Sequence, residues 1–218
     1  MDVQSLLTHI WPLAVDVFRI TVWLVLLSVI FMPLERLWAM RPSKTLRPGF
    51  WRDIAYYYLN NYLPKILMIW PVAFLGWVLH FIVPSGLYDY MGELPIMARL
   101  LLALVLGEVG YYWAHRAMHE IPLLWRIHAL HHSATDIDWL VSSRAHPLDV
   151  AFSHFAGLIP VYALGLSQPS AEHMDNVALL FIIIGTAWGF FIHANLRWRF
   201  GPLEYLVSTP AFHHWHHT

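Results

Sequence analysis

Eight histidines in three short runs, with a ninth at position 193, supply the chemistry that this chain could perform. His115 and His119 stand four apart. His128, His131 and His132 follow at i, i+3 and i+4, and His213, His216 and His217 repeat that spacing near the end. Residues three and four apart lie on one face of a helix, so each run is expected to point one way. Pro122 separates the first two runs and marks a break where the chain can turn. Eight converging imidazole nitrogens exceed what one metal can use, since a tetrahedral zinc site takes four; a pair of metals suits the supply. Ligand type alone leaves iron, zinc, copper and nickel open. The chain has no cysteine, which excludes disulfides, thiolate metal sites, Fe–S clusters and a cysteine nucleophile. His119-Glu120 does not begin a zinc-protease H-E-x-x-H motif, because the position that needs the second histidine is Leu123.

The elements that must position these histidines read as membrane helices. Of 218 residues, 58% are hydrophobic and only 12% charged, with twelve tryptophans, too little charge for a surface that faces water throughout. A net charge of −1 gives no basic footprint for nucleic acid. A membrane-crossing helix needs about 20 largely apolar residues. Spans are expected from about Ile10 to Leu34, over 66–83 with a possible kink at Pro71, and over 96–115, running directly into the first histidine. The stretches 150–166 and 177–193 are shorter, either a thin hairpin of two spans or a pair that partly enters the bilayer. Met1–Gln4 lacks the basic start of a cleavable signal, and Asp16 and Arg19 interrupt the first apolar run, so a retained first span is expected.

Loop charge gives the orientation. Arg36, Arg41, Lys44, Arg47 and Arg52 occupy the 35–55 loop, whereas the turn near 84–95 and the turn at 167–176 carry acids but no Lys or Arg. Arg116, Arg126 and Arg144 fall in the 116–149 segment, and Arg197 and Arg199 follow the last apolar run. With five spans all these basic loops share one side, the cytoplasmic one, and the clustered histidines share it with them. The fold class expected is therefore all-α integral membrane: about four to five transmembrane helices with a cytosolic helical cap that carries the histidine runs. It forms one structural domain, with a transmembrane region at 1–95 and a catalytic region at 96–218. The basic 40–50 stretch is a loop rather than a domain boundary.

Location favours iron. Apolar molecules dissolved in a membrane offer unactivated C–H bonds, which O₂ activated at reduced iron can attack, whereas a hydrolytic zinc pair needs water and a cleavable bond. Other residues stand near the runs. Glu108 lies in an apolar stretch, on the helical face of Tyr111, Tyr112, His115 and His119, where an acid is a functional candidate. Glu108, Asp136, Asp138 and Asp149 could accept the spare N–H groups of the histidines. His146 is a ligand or a partner of one, and Asn195 either bonds a metal-bound water or caps a helix. His9, His80, His154 and His173 have bland readings.

The three runs resemble the histidine boxes of the sterol desaturase/fatty acid hydroxylase superfamily. They read His115-Arg-Ala-Met-His119, His128-Ala-Leu-His131-His132 and His213-His-Trp-His216-His217. "YYWAHRAMH", "HALHHS", "RAHPLD" (144–149), "HANL" (193–196) and "STPAFHHWHH" (208–217) resemble the family beyond the histidines, so that the likeness covers roughly 100–218. The resemblance implies a non-haem di-iron site at the cytosolic face, with O₂ as co-substrate, that hydroxylates or desaturates a lipid. There are departures. Glu108 stands where the family usually has an aspartate, His214 adds a histidine within the third box, leaving open whether it or His213 ligates, and the chain ends at Thr218 where the family pattern runs on, so a C-terminally truncated sequence is expected.

The function expected is an iron-dependent membrane monooxygenase or desaturase of lipid metabolism. No Gly-rich dinucleotide fingerprint is present, so electrons are expected from a separate partner of cytochrome b5, ferredoxin or reductase type. The basic 35–55 loop is either its docking surface or a positive-inside anchor. Fatty acyl chains, sterols or hopanoids, carotenoids and ether lipids all stay open as substrates. The rival reading is a non-enzymatic membrane metal or haem protein. Transport favours ligands strung across the bilayer, and haem carriage needs axial histidines deep in facing spans, for which His154 is a candidate.

Overall fold

The computed structural model of the chain describes residues 3–42, 44–167 and 177–217, with side chains from Trp11 onward. Among the described residues eight α-helices run in the order α1 (Val3–Trp38), α2 (Phe50–Ile82), α3 (Ser85–Glu93), α4 (Ile96–Glu120), α5 (Pro122–His128), α6 (Pro147–Ala163), α7 (Val177–His193) and α8 (Pro210–His216). Short 3-10 turns cover His131–Ser133, Trp139–Ser143 and Gly201–Tyr205. Among the described residues the only β pairing is one bridge between Ala39 and Leu196. Glu172, His173 and Asp175 of the expected acidic turn lie outside the described residues, as does the His9 side chain.

Among the described residues three helices are long and apolar enough to cross a membrane: Trp11–Trp38 of α1, α2 and α4. Their apolar side chains face outward, with Trp70 of α2 81% exposed, as expected where lipid rather than water is the solvent. Helices α6 and α7 have 17 residues each, about 26 Å at 1.5 Å per residue and short of a full hydrocarbon core.

Helix α2 corrects the expected boundaries. It begins at Phe50, so the 35–55 loop is reduced to a connector and the predicted span at 66–83 is the far half of a 33-residue helix. At about 50 Å it is longer than a hydrocarbon core is thick, and its first half packs against residues 143–145 near the histidines. Polar residues hid this segment, yet they face inward. Asp53 and Tyr57 are buried, and Asn60 donates to the carbonyls of Ser143 and Ala145 at 3.0 and 2.9 Å. Gly49 caps the start of the helix at φ +84°, a conformation glycine adopts at little cost. The turn expected near 84–95 is the short helix α3, bounded by Pro84 and Pro95.

Two apolar cores hold the bundle. One joins Leu24, Leu27 and Phe31 of α1 to Tyr57, Trp139, Phe190 and Leu196. The other joins Leu100 and Ala103 of α4 to Val161, Leu166 and Val177. Helices α4 and α6 pack most extensively, and they meet through Gly110, where a Cβ would overlap the Ala156 carbonyl. Polar links gather at the histidine end. Glu35, near the end of α1, accepts the backbone N–H groups of Trp139 and Asn195, each at 2.8 Å. Tyr57 donates to the Ile20 carbonyl at 2.8 Å.

Candidate metal centre

Helix α4 ends at Glu120 and α5 starts with Pro122 at its first position, where a missing N–H costs nothing. This corner turns the second histidine box back onto the first, as the proline predicts. Helix α8 brings the third box in from the other side. Its N-cap Thr209 accepts the Phe212 N–H at 3.5 Å.

The histidines converge as two clusters. His115, His119, His128, His132 and His216 form one; His131, His193, His213 and His217 form the other; within each, one ligand atom per residue lies within 4.8 Å of all the rest. The clusters adjoin, since the rings of His132 and His217 stack at 4.4 Å between centroids.

The expectation that each run points one way is corrected. His128 and His132 share the five-histidine cluster, while His131 between them crosses to the four-histidine cluster. In the third box His213 and His217 stay together and His216 crosses the other way. The H-x-x-H-H spacing therefore contributes to both sites. Positions i and i+4 are separated by about 40° around a helix and stay paired, whereas neighbouring residues point about 100° apart. The turn at His131–Ser133 is moreover a 3-10 turn rather than a continuation of α5.

Hydrogen bonds fix the tautomers of three rings. His128 Nδ1 faces Asp149 Oδ2 at 2.7 Å, His131 Nδ1 faces the Arg144 carbonyl at 3.0 Å and His193 Nδ1 faces the Gly189 carbonyl at 2.6 Å. An acceptor opposite Nδ1 places the ring proton there and leaves Nε2 as a lone pair. Yet His131 Nε2 and His193 Nε2 stand 3.0 Å apart, and His213 Nε2 is 2.9 Å from His193 Nε2. Two lone pairs so close repel unless a cation lies between them. Imidazole–metal bonds of about 2.1 Å put adjacent ligand nitrogens roughly 3.0–3.4 Å apart, so the residues present fit a metal. His119 Nε2 and His217 Nδ1 are buried with no hydrogen-bond partner among the described residues. Burial pushes the His131 imidazole down to about 4 and the His132 imidazole down to about 2, and it lowers His213, His216 and His217 as well. These rings are therefore neutral donors at pH 7, the form that binds metal.

The remaining candidates fall outside both clusters. His214, next to His213, donates from Nε2 to the His193 carbonyl at 2.9 Å. His146 caps α6, its Nδ1 accepting the Leu148 N–H at 3.2 Å. Asn195 clasps the connector, accepting from Arg41 N at 3.0 Å and donating to Arg41 O at 2.6 Å. Glu108 is exposed, and among the described residues no hydrogen bond or ion pair joins it to a clustered histidine. Of the four acids expected to orient imidazoles, Asp149 alone does so among the described residues. Asp138 pairs with Arg47 instead, and Asp136 meets Thr135. Arg47, expected as loop charge, is buried in that pair. His154 is exposed on α6 and belongs to neither cluster.

The fatty acid hydroxylase family matches residues 100–218, more than half of the chain and all three boxes. The chain belongs to this family. Over 209 residues it is 34% identical to the ornithine lipid hydroxylase OlsE of Rhizobium tropici, covering 93% of this chain and 58% of that protein. Human alkylglycerol monooxygenase is 32% identical over 110 residues, 50% of this chain and 23% of its own length. The rice very-long-chain aldehyde decarbonylase GL1-5 is 31% identical over 159 residues, 63% of this chain and 25% of its own. The chain thus spans little more than half the length of the first of these relatives and about a quarter of the other two. No solved structure matches it significantly. Arg144 read in the sequence as loop charge and Asp53, outside the matched region, drew no attention; their pairing spans 91 positions and leaves no local pattern.

Proposed function

We propose that this fatty acid hydroxylase-family chain is a membrane di-iron monooxygenase that hydroxylates a C–H bond of a membrane lipid. The observation that carries the reading is the facing pair His131 Nε2 and His193 Nε2, 3.0 Å apart with both Nδ1 protons committed to carbonyls. His115, His119, His128, His132 and His216 would hold one iron, and His131, His193, His213 and His217 the other. Iron held there supplies O₂ activation and attack on an unactivated C–H bond.

The protein's own residues bind and orient. Asp149 and the carbonyls of Arg144 and Gly189 fix three rings with Nε2 inward. Helix α4 carries His115 and His119 in its last turns, at the end of an apolar span, which brings a lipid to the site without leaving the bilayer. Hydroxylation places one oxygen atom of O₂ in the product and releases the other as water, using two electrons and two protons from a separate redox protein. The names of the bacterial and human relatives favour hydroxylation over desaturation and a polar or ether lipid as substrate. The basic residues Arg36, Arg41, Arg197 and Arg199 lie at the histidine end, which supports a cytoplasmic site.

Lipid extracts from cells with and without the full-length protein, compared by mass spectrometry, test the reading. A lipid gaining one oxygen, and absent with His216→Ala, is the expected result. Purified chain with a Soret band and no bound non-haem iron would favour a haem carrier instead.

A further inference from the structure

Two arginines and two aspartates form a buried network beside the four-histidine cluster, with Asp53 0%, Arg144 1%, Arg47 4% and Asp138 6% exposed. Arg144 forks onto Asp53, Nε to Oδ1 at 2.6 Å and Nη2 to Oδ2 at 2.9 Å. Arg47 Nη2 reaches Asp53 Oδ2 at 2.8 Å and, with Nε, forks onto Asp138 at 2.6 and 2.7 Å. Four buried charges contribute little net stability beside well-packed apolar side chains, so stability alone does not account for them.

What else Arg144 touches does. Its backbone carbonyl accepts the His131 Nδ1–H at 3.0 Å, and its Nη1 donates to the Ser133 carbonyl at 3.3 Å. It therefore grips both ends of the His131–Ser133 turn, inside which His131 and His132 part company. Gly49, at the foot of α2, leaves room for the guanidinium: a Cβ there would stand 2.7 Å from Arg144 Nη2. Arg47 and Asp138 belong to the same network, but their bonds run to each other, to Asp53, to the Pro48 carbonyl and to the Leu140 N–H, not to the turn.

We propose that Arg144, anchored on Asp53, is a positioning residue that sets the directions in which His131 and His132 diverge and so delivers one imidazole to each cluster. The proposal rests on the reading that both clusters hold iron. Lysine at 144 keeps the charge but loses the fork and the reach to Ser133, so it is the informative substitution. Lysine at 47 perturbs the same network without touching the turn, which makes it the comparator.

The test loads the full chain, purified in detergent, anaerobically with ferrous iron and measures bound iron per chain alongside thermal unfolding. Arg144→Lys is expected to retain about half of the wild-type iron, and Arg47→Lys all of it, even where both unfold at similarly reduced temperatures. Adding His131→Ala to Arg144→Lys is expected to remove no further iron. Equal iron in the two lysine variants, whether full, partial or none, would overturn the proposal, as would further loss in the double variant. Wild-type chain that takes up no iron overturns the proposed function together with it, whereas normal iron in wild type and in Arg144→Lys overturns the positioning role alone.

Discussion

The two histidine clusters are built from the same motifs yet held differently. In the four-histidine cluster, His131, His193 and His213 are buried, and two of its rings are braced by main-chain carbonyls of Arg144 and Gly189. In the five-histidine cluster only His128 is buried, and its brace is a side chain, Asp149. A main-chain brace keeps its acceptor atom when its residue is substituted and fails only if the turn that carries it moves, whereas a carboxylate brace adds charge to the ring it holds and is removed outright by mutation. One cluster is thus set by architecture and has no donor to spare. The other is partly open, tunable and one donor richer.

Neighbouring residues give the hardest test of that contrast. His131→Ala takes a donor from the cluster with no surplus, so about one metal per chain is lost and lipid oxidation falls more than 100-fold, beyond the range for a supporting residue. His132→Ala leaves four donors in its cluster, retains both metals and lowers the rate by roughly tenfold. Bound iron and product formation, measured on both variants, check this. Equal damage from the two would break the comparison.

Next in size is Asp149. Asp149→Asn keeps a side chain of the same shape but removes the negative charge opposite His128 Nδ1. Chelator competition is expected to show metal affinity falling about 10–100-fold at one of two sites, with the other unchanged. A uniform fall at both sites would mean that the clusters are not separately braced.

Both clusters were legible in part. Imidazoles are unusual at the end of an apolar span and their spacing is short-range, so the donors stood out, as did the turn at Pro122. Their division between two sites did not, because i, i+3 and i+4 fall broadly on one helical face, and only the 100° between adjacent residues sends the middle histidine of H-x-x-H-H to the other site. The braces were hidden for another reason. Arg144 and Asp53 meet across 91 positions, and Arg47 reads as ordinary positive-inside charge until the fold buries it. Glu35 likewise looks like a helix-end acid, though its carboxylate ties α1 to Trp139 and Asn195. Helix α2 looks shorter in the sequence than it is because Asp53, Asn60 and Asn61 interrupt its apolar run; they serve a polar interface rather than ending the helix.

Acidity sharpens the comparison more gently. Burial holds His131 at about 4 and His132 at about 2 in the folded chain, below the ordinary value of about 6.5 that both regain on unfolding. Below about 6.5 the unfolded chain then binds more protons than the folded one, so stability falls with pH. For His131 that loss runs from about 6.5 down to its folded value and then levels off. Thermal unfolding of the metal-free chain between pH 7 and 4 is expected to show a falling midpoint, with a shallower slope in His131→Gln. A midpoint independent of pH would mean the rings are not held neutral by burial.

The smallest effect is expected one residue from one of the largest. His213 belongs to the four-histidine cluster, while His214 is also buried but spends its Nε2–H on the His193 carbonyl. His214→Gln therefore costs about 1 kcal/mol of stability, the typical worth of one such bond, and leaves iron per chain unchanged. The bond does end on the backbone of a cluster residue, so the ring of His193 could shift slightly when it is lost. Such a shift would weaken one metal without removing a donor. If His214→Gln instead lost a whole metal, the third box would be contributing four histidines rather than three, and the division into five donors and four would have to be redrawn.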